Sequence, residues 1–282
     1  MRNAIEIKGL CKNYDGFRLD HVDLALPEGA IMGLVGENGA GKSTTIKAML
    51  GLLHIDSGEV ALLGRPVEKA LEEVGVVFDS DTFPENMNAQ DVDAVMKNIY
   101  AGWDKALFWQ YAKRFSLPEK QPVKEYSRGM KMKLAIAAAL ARRPKLLVLD
   151  EATSGLDPVV RNQILDIFLE FILEEDHSVL LSSHITSDLE KICDYITFLH
   201  QGQVIFSLEK DVLEYRYGAV RCTKEEFARL DKAHVVAYRE NMFGCELLTN
   251  DRDAFLSANP GCTAERSTIE EIMLFYVEGK KC

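Results

Sequence analysis

The stretch IMGLVGENGAGKST, residues 31–44, limits the fold more than any other part of the chain. Two glycines bracket four residues, and a lysine and a hydroxyl residue follow, which is the spacing of a loop that cradles phosphate. Such a loop works only between a buried strand and a helix, because its backbone N–H groups and the helix N-terminus must converge on one anion. The sequence supplies both flanks. IMGLVG is apolar and of strand length. Downstream, Ile46, Met49, Leu50 and Leu53 recur at i, i+3, i+4 and i+7, one face of a helix.

Similar alternation runs along the chain. VGVVF (74–78), KLLVLDE (145–151) and SVLLSSH (178–184) are further apolar runs of strand length. Between them lie a helical stretch from about 84 to 117, with Val92, Val95, Met96 and Ile99 on one face, and the alanine-rich MKLAIAAALA (132–141). DYITFLHQGQVIF (194–206) reads as a hairpin turning at Gln201-Gly202. Apolar strands alternating with helices predict an α/β fold whose mostly parallel sheet is covered on both faces. Ligands of such sheets gather at the carboxyl ends of the strands. Here those ends carry the phosphate loop, Asp150-Glu151 and His184. After about residue 212 the pattern changes. Capping boxes at Thr223/Glu226 and Ser267/Glu270 start short helices, and HVVAYRE and GCELLTN read as strands. A small α+β appendage over 213–282 is predicted.

The residue types at the strand ends fit nucleotide chemistry. Gly36, Glu37, Asn38, Gly39, Ala40 and Gly41 form the loop. Lys42 brings a point charge to the β- and γ-phosphates, the Ser43 hydroxyl suits Mg²⁺, and Thr44 reaches a further phosphate. Asp150 offers the hard oxygen ligand that Mg²⁺ prefers. Glu151 suits polarising the water that attacks the γ-phosphate. Ser127 can cap the alanine-rich helix starting at Arg128; a free hydroxyl and the Gly129 amide there make a second anion site.

Composition closes off other readings. A net charge of −11 argues against general nucleic-acid binding and against adhesion to anionic lipid. The six cysteines form no CxxC pair, and no spacing matches a zinc site, so they read as reduced thiols. The N-terminus lacks an apolar signal core, and the run LAIAAALA (134–141) is far too short to cross a bilayer.

Taken together, Tyr14, the loop, Tyr126-Ser127-Arg128-Gly129-Met130, the strand ending in Asp150-Glu151, Ser154-Gly155-Leu156-Asp157 and His184 stand in the order of one known family. Over residues 1 to about 210 the chain resembles the nucleotide-binding subunits of ATP-binding cassette (ABC) transporters. The resemblance implies a P-loop NTPase cassette at 1–212, with an antiparallel β edge and a helical subdomain at about 86–143. It implies that Tyr14 stacks on adenine, that His184 is the switch histidine and that Asp157 belongs to the D-loop. It implies an ATPase using ATP and Mg²⁺. The partners it implies are transmembrane permease subunits and a second nucleotide-binding subunit, identical or related. In that head-to-tail pair, Lys42 of one chain and Ser127 of the other grip one γ-phosphate. The implied location is the cytoplasmic face of a bacterial cell membrane, and the implied direction is export.

Two departures from the family stand out. The signature, usually LSGGQ, has Tyr126, Arg128 and Met130, and Asp79 replaces the glutamine that normally senses Mg²⁺ after VGVVF. Asp79 is therefore expected to act through the metal, directly or through one water. A competing reading is a soluble cassette ATPase, such as one for iron–sulfur cluster assembly. Lys42 and Ser127 stand only 85 positions apart, which leaves no room for the coiled coil of chromosome-type cassettes. A regulator without turnover is disfavoured by Glu151.

Overall fold

The structure is a computed structural model and describes residues 2–79 and 82–282. A hairpin of β1 (Asn3–Tyr14) and β2 (Phe17–Pro27) precedes β3 (Ile31–Val35), which leads through the phosphate loop into α1 (Lys42–Met49). Next come β4 (Ser57–Leu62), β5 (Arg65–Pro66), the short α2 (Val67–Ala70) and β6 (Val74–Val77). Three helices, α3 (Ala89–Ile99), α4 (Lys105–Arg114) and α5 (Arg128–Leu140), separate β6 from β7 (Leu146–Asp150). Then follow α6 (Pro158–Phe171), β8 (Ser178–Ser183), α7 (Thr186–Ile192), β9 (Tyr195–His200) and β10 (Gln203–Glu209). The remainder is α8 (Lys210–Arg216), β11 (Gly218–Cys222), α9 (Lys224–Arg229), β12 (Val235–Asn241), β13 (Gly244–Thr249), α10 (Arg252–Ala258), β14 (Ala264–Arg266) and α11 (Ile269–Glu278).

The central sheet has the order β10-β9-β3-β8-β7-β6, parallel except for β10. Its inner strands β3 and β7 are fully buried because both faces are covered. Ile31 and Val35 of β3 pack into a core with the helices, while Met32 and Leu34 pack into a second core under the antiparallel sheet β2-β1-β4-β5. In β7, Leu147 and Leu149 take the first face and Leu146 and Val148 the second. The period-two alternation of side chains thus serves two cores at once. The hairpin turns at Gln201 (φ 46°) and Gly202 (φ 78°), as the sequence predicts; a side chain at 202 would run into the Arg18 carbonyl.

The helical insert departs from the expected stripe. Val92 is fully buried, but Val95 and Ile99 are exposed, because α3 rests on its neighbours along Ala89, Val92, Asp93 and Met96. Trp103 and Trp109 both flank Phe108, and their indole N–H groups both donate to the buried Asp93 carboxylate, at 2.9 and 2.8 Å. Asp93→Ala leaves two donors without an acceptor. We expect it to lower unfolding free energy by about 1–3 kcal/mol, measured by denaturant melts; an unchanged midpoint contradicts the pairing.

The appendage sheet, β12-β13-β11-β14, is antiparallel. Its capping box at Thr223 and Glu226 is present. The second box is shifted by one residue from the sequence expectation: Thr268 and Glu271 form it, not Ser267 and Glu270. Ser267 is instead buried. The proposed division at 212/213 falls inside α8. The appendage also shares the main core, since Ile269, Ile272 and Phe275 of α11 join it and Tyr276 packs 5.4 Å from Phe206.

Candidate active site

The strand β3 ends where the backbone must turn sharply, and two glycines permit it. A side chain at Gly36 would strike the Leu199 carbonyl, and one at Gly41 (φ 112°) would strike Leu19 and Phe17. No side chain caps α1, and no acidic residue lies in its first turn. The positive end of the helix dipole therefore faces the loop uncompensated, as an anion site requires. The Lys42 ammonium is buried; it donates to the carbonyls of Gly36 at 2.7 Å and Glu37 at 3.2 Å, and lies 3.4 Å from Glu151 Oε1.

Glu151 sits one residue past β7 at φ 56°, a left-handed conformation that costs a non-glycine residue energy and is found mostly at functional sites. It carries the carboxylate back over the loop. Oε1 faces Lys42, and Oε2 lies 2.7 Å from His184 Nδ1 at the end of β8. One carboxylate thus joins the cation of the phosphate loop to the histidine at the end of the neighbouring strand β8. Asp150, the last residue of β7, is buried, and its Oδ1 has no hydrogen-bond partner. An orphaned buried carboxylate oxygen is costly unless a cation or water takes it.

These groups open onto a cavity of about 740 Å³, within the range of small-molecule sites. Glu37, Asn38, Gly39, Gly41, Lys42, Ser43, Thr44, Asp79, Glu151 and His184 line it, all anticipated from sequence. Phe17 and Arg128 line it too and were not anticipated. Arg128 reaches across to Asp79 Oδ1 at 2.5 Å, and its guanidinium lies against Gly155, where an added side chain would meet it at 2.6 Å. Asp79, expected at a metal, is therefore engaged by a cation of its own chain.

Seven sequence-predicted residues lie outside the cavity lining: Gly36, Ala40, Asp150, Tyr14, Asp157, Ser127 and Gly129. Tyr14 is exposed beside Lys12, and its strand partner Phe17 takes the place at the cavity wall. The Asp157 carboxylate caps α6, accepting from Val159 and Val160, while Ser154 faces the cavity in its stead. Ser127 caps α5 through the Met130 N–H, as predicted, and is exposed; it and Gly129 do not reach the cavity of their own chain.

Comparison with known proteins agrees with this geometry. Residues 19–154 match the family described as ABC transporter. The chain is 35% identical over 212 residues to the lantibiotic transport ATP-binding protein SrtF of Streptococcus pyogenes, covering 73% of this chain and 91% of that one. It is 30% identical over 223 residues to the bacitracin transport ATP-binding protein BcrA of Bacillus licheniformis, covering 77% and 73%. Among solved structures, cbiO1 from Clostridium perfringens, described as part of the ABC transporter complex cbiONQ, aligns with a TM-score of 0.65 at 26% identity, covering 75% of this chain and 90% of that one. With a phosphate loop, a carboxylate and a histidine meeting in one cavity and relatives of this kind, the chain belongs to the ATP-binding proteins of ABC transporters and is their ATP-hydrolysing, transport-coupled subunit.

Proposed function

We propose that the chain works in a head-to-tail pair of cassettes at the cytoplasmic face of the membrane, and that ATP turnover there drives export of an antimicrobial-type peptide through separate transmembrane subunits. The observation that carries the pairing is the position of Ser127. It stands exposed at a capped helix N-terminus, outside the cavity that holds Lys42 and Glu151. A second chain can present that terminus to the γ-phosphate. No helix among the described residues is long and apolar enough to cross a membrane, which fits crossing by other subunits. Relatives named for lantibiotic and bacitracin transport support the peptide class of the cargo. Co-expression with the permease and transport into inverted vesicles tests this: ATP-dependent accumulation of such a peptide is expected, and its absence with ATP turnover intact contradicts the assigned cargo.

Each residue has a role toward ATP. Lys42 holds the phosphate chain. Glu151 accepts the proton of the attacking water, and His184 orients Glu151 through Nδ1. The residues present fit Mg²⁺: the orphaned Asp150 Oδ1 and the Ser43 hydroxyl are hard oxygen donors. Bound there, the ion would neutralise phosphate charge.

Asp79 acts on this site through charge. Its partner Arg128 competes with the metal for the carboxylate. Asp79→Asn is therefore expected to raise the Mg²⁺ concentration for half-maximal ATPase, while Arg128→Ala lowers it by freeing the carboxylate. Superimposable Mg²⁺ titrations for the three proteins remove Asp79 from the metal.

A further inference from the structure

The geometry points to a second metal site, of the zinc class, formed by Cys11, Asp20 and His21 on the β1–β2 hairpin. The register of that hairpin slips where the site lies. Leu10 pairs with Val22 and Lys12 with Leu19, so the single residue Cys11 faces two residues, Asp20 and His21. This is a β-bulge, which re-aims side chains that a regular strand would send to opposite faces. His21 adopts φ 50°, an uncommon conformation for a residue with a side chain. Its N–H donates to Cys11 Sγ at 3.3 Å. As a result a sulfur, a ring nitrogen and a carboxylate oxygen all lie within 4.8 Å of one another. Linear spacing hides this arrangement, because the two segments meet only across the bulge.

Thiolate, imidazole and carboxylate are three of the four ligands of a tetrahedral zinc centre, with water as the fourth. A thiolate favours Zn²⁺ over Mg²⁺ or Ca²⁺. Surrounding groups prepare the ligands. The Ser57 hydroxyl and the His21 N–H hold the Cys11 thiol below its usual pKa range. Gln203 Nε2 donates to Asp20 Oδ2 at 2.9 Å and fixes the carboxylate, the kind of outer partner that metal ligands employ. Two contacts oppose binding. Arg18 lies 2.7 Å from Asp20 Oδ1 and must swing outward, which its exposed side chain permits. His21 Nδ1 lies 2.7 Å from the same oxygen, and Asp20 raises the pKa of the imidazole. Zinc binds an imidazole nitrogen only when that nitrogen is unprotonated, so affinity falls as pH falls.

Chelator-treated full-length protein titrated with Co²⁺ tests the site. One equivalent is expected to bind with a near-ultraviolet thiolate-to-cobalt band and tetrahedral visible bands, all abolished by one equivalent of Zn²⁺. Cys11→Ser and His21→Asn each remove the spectrum, and Gln203→Ala weakens binding about 10-fold. His21→Asn keeps the backbone accessible, since asparagine adopts positive φ readily, so it carries the test even if the buried Cys11→Ser folds poorly. Cys222→Ser, at a cysteine facing Cys245 across the appendage sheet, leaves the spectrum unchanged. Absence of the thiolate band, its survival in either Cys11→Ser or His21→Asn, or its loss in Cys222→Ser overturns the assignment.

Discussion

Glu151→Gln is expected to bind ATP as the wild type does and to turn it over about 10²–10⁴-fold more slowly, the usual contribution of a general base. The amide keeps the size and the loop geometry but accepts no proton. It also loses the charge that Lys42 faces at 3.4 Å, so the ammonium is freer to bind phosphate and affinity holds or rises. Single-turnover hydrolysis beside equilibrium binding of a fluorescent ATP analogue separates the two effects. Wild-type turnover removes Glu151 from its role. The companion change His184→Ala keeps the base but frees its Oε2, and a smaller loss is expected because the histidine orients the carboxylate.

Lys42→Ala acts at the earlier step. The ammonium is buried, and the groups left around it are carbonyl oxygens and the Glu151 carboxylate. Removing it deletes a charge-assisted hydrogen bond to phosphate, worth about 1.5–3 kcal/mol. It also leaves an uncompensated carboxylate facing a polyanion. Together these predict ATP binding weakened by at least ~100-fold, measured with the same fluorescent analogue. Unchanged affinity contradicts the placement of triphosphate on this loop.

The parts of this site that were legible in the sequence are those fixed by local rules. A glycine-bounded loop between an apolar strand and a helix places Lys42, and a strand ending in carboxylates places Asp150 and Glu151. Other features were set by tertiary packing. In S-T-I-E-E the capping-box spacing fits both Ser267/Glu270 and Thr268/Glu271. Burial of Ile269, Ile272 and Phe275 selects the second. The α3 periodicity was sound, but how much of its stripe finds a neighbour depends on where α4 and α5 lie, and Val95 and Ile99 remain outside. The pairing of Arg128 with Asp79 joins positions 49 residues apart, and no local pattern announces it. The two residues that depart from the family at these positions carry opposite charges and meet at the cavity wall, so the departures are read best as one compensated pair.

The proposed completion of one chain's Lys42 site by Ser127 of a second chain is tested most directly by sedimentation velocity of Glu151→Gln with ATP and Mg²⁺, with and without Ser127→Arg. ATP should convert the single variant to a pair holding two nucleotides, and the added arginine at the exposed cap should return it to single chains that still bind ATP through Lys42. A protein that retains ATP yet sediments as one chain, or a pair indifferent to Ser127→Arg, contradicts the claim that Ser127 of one chain completes the Lys42 site of another.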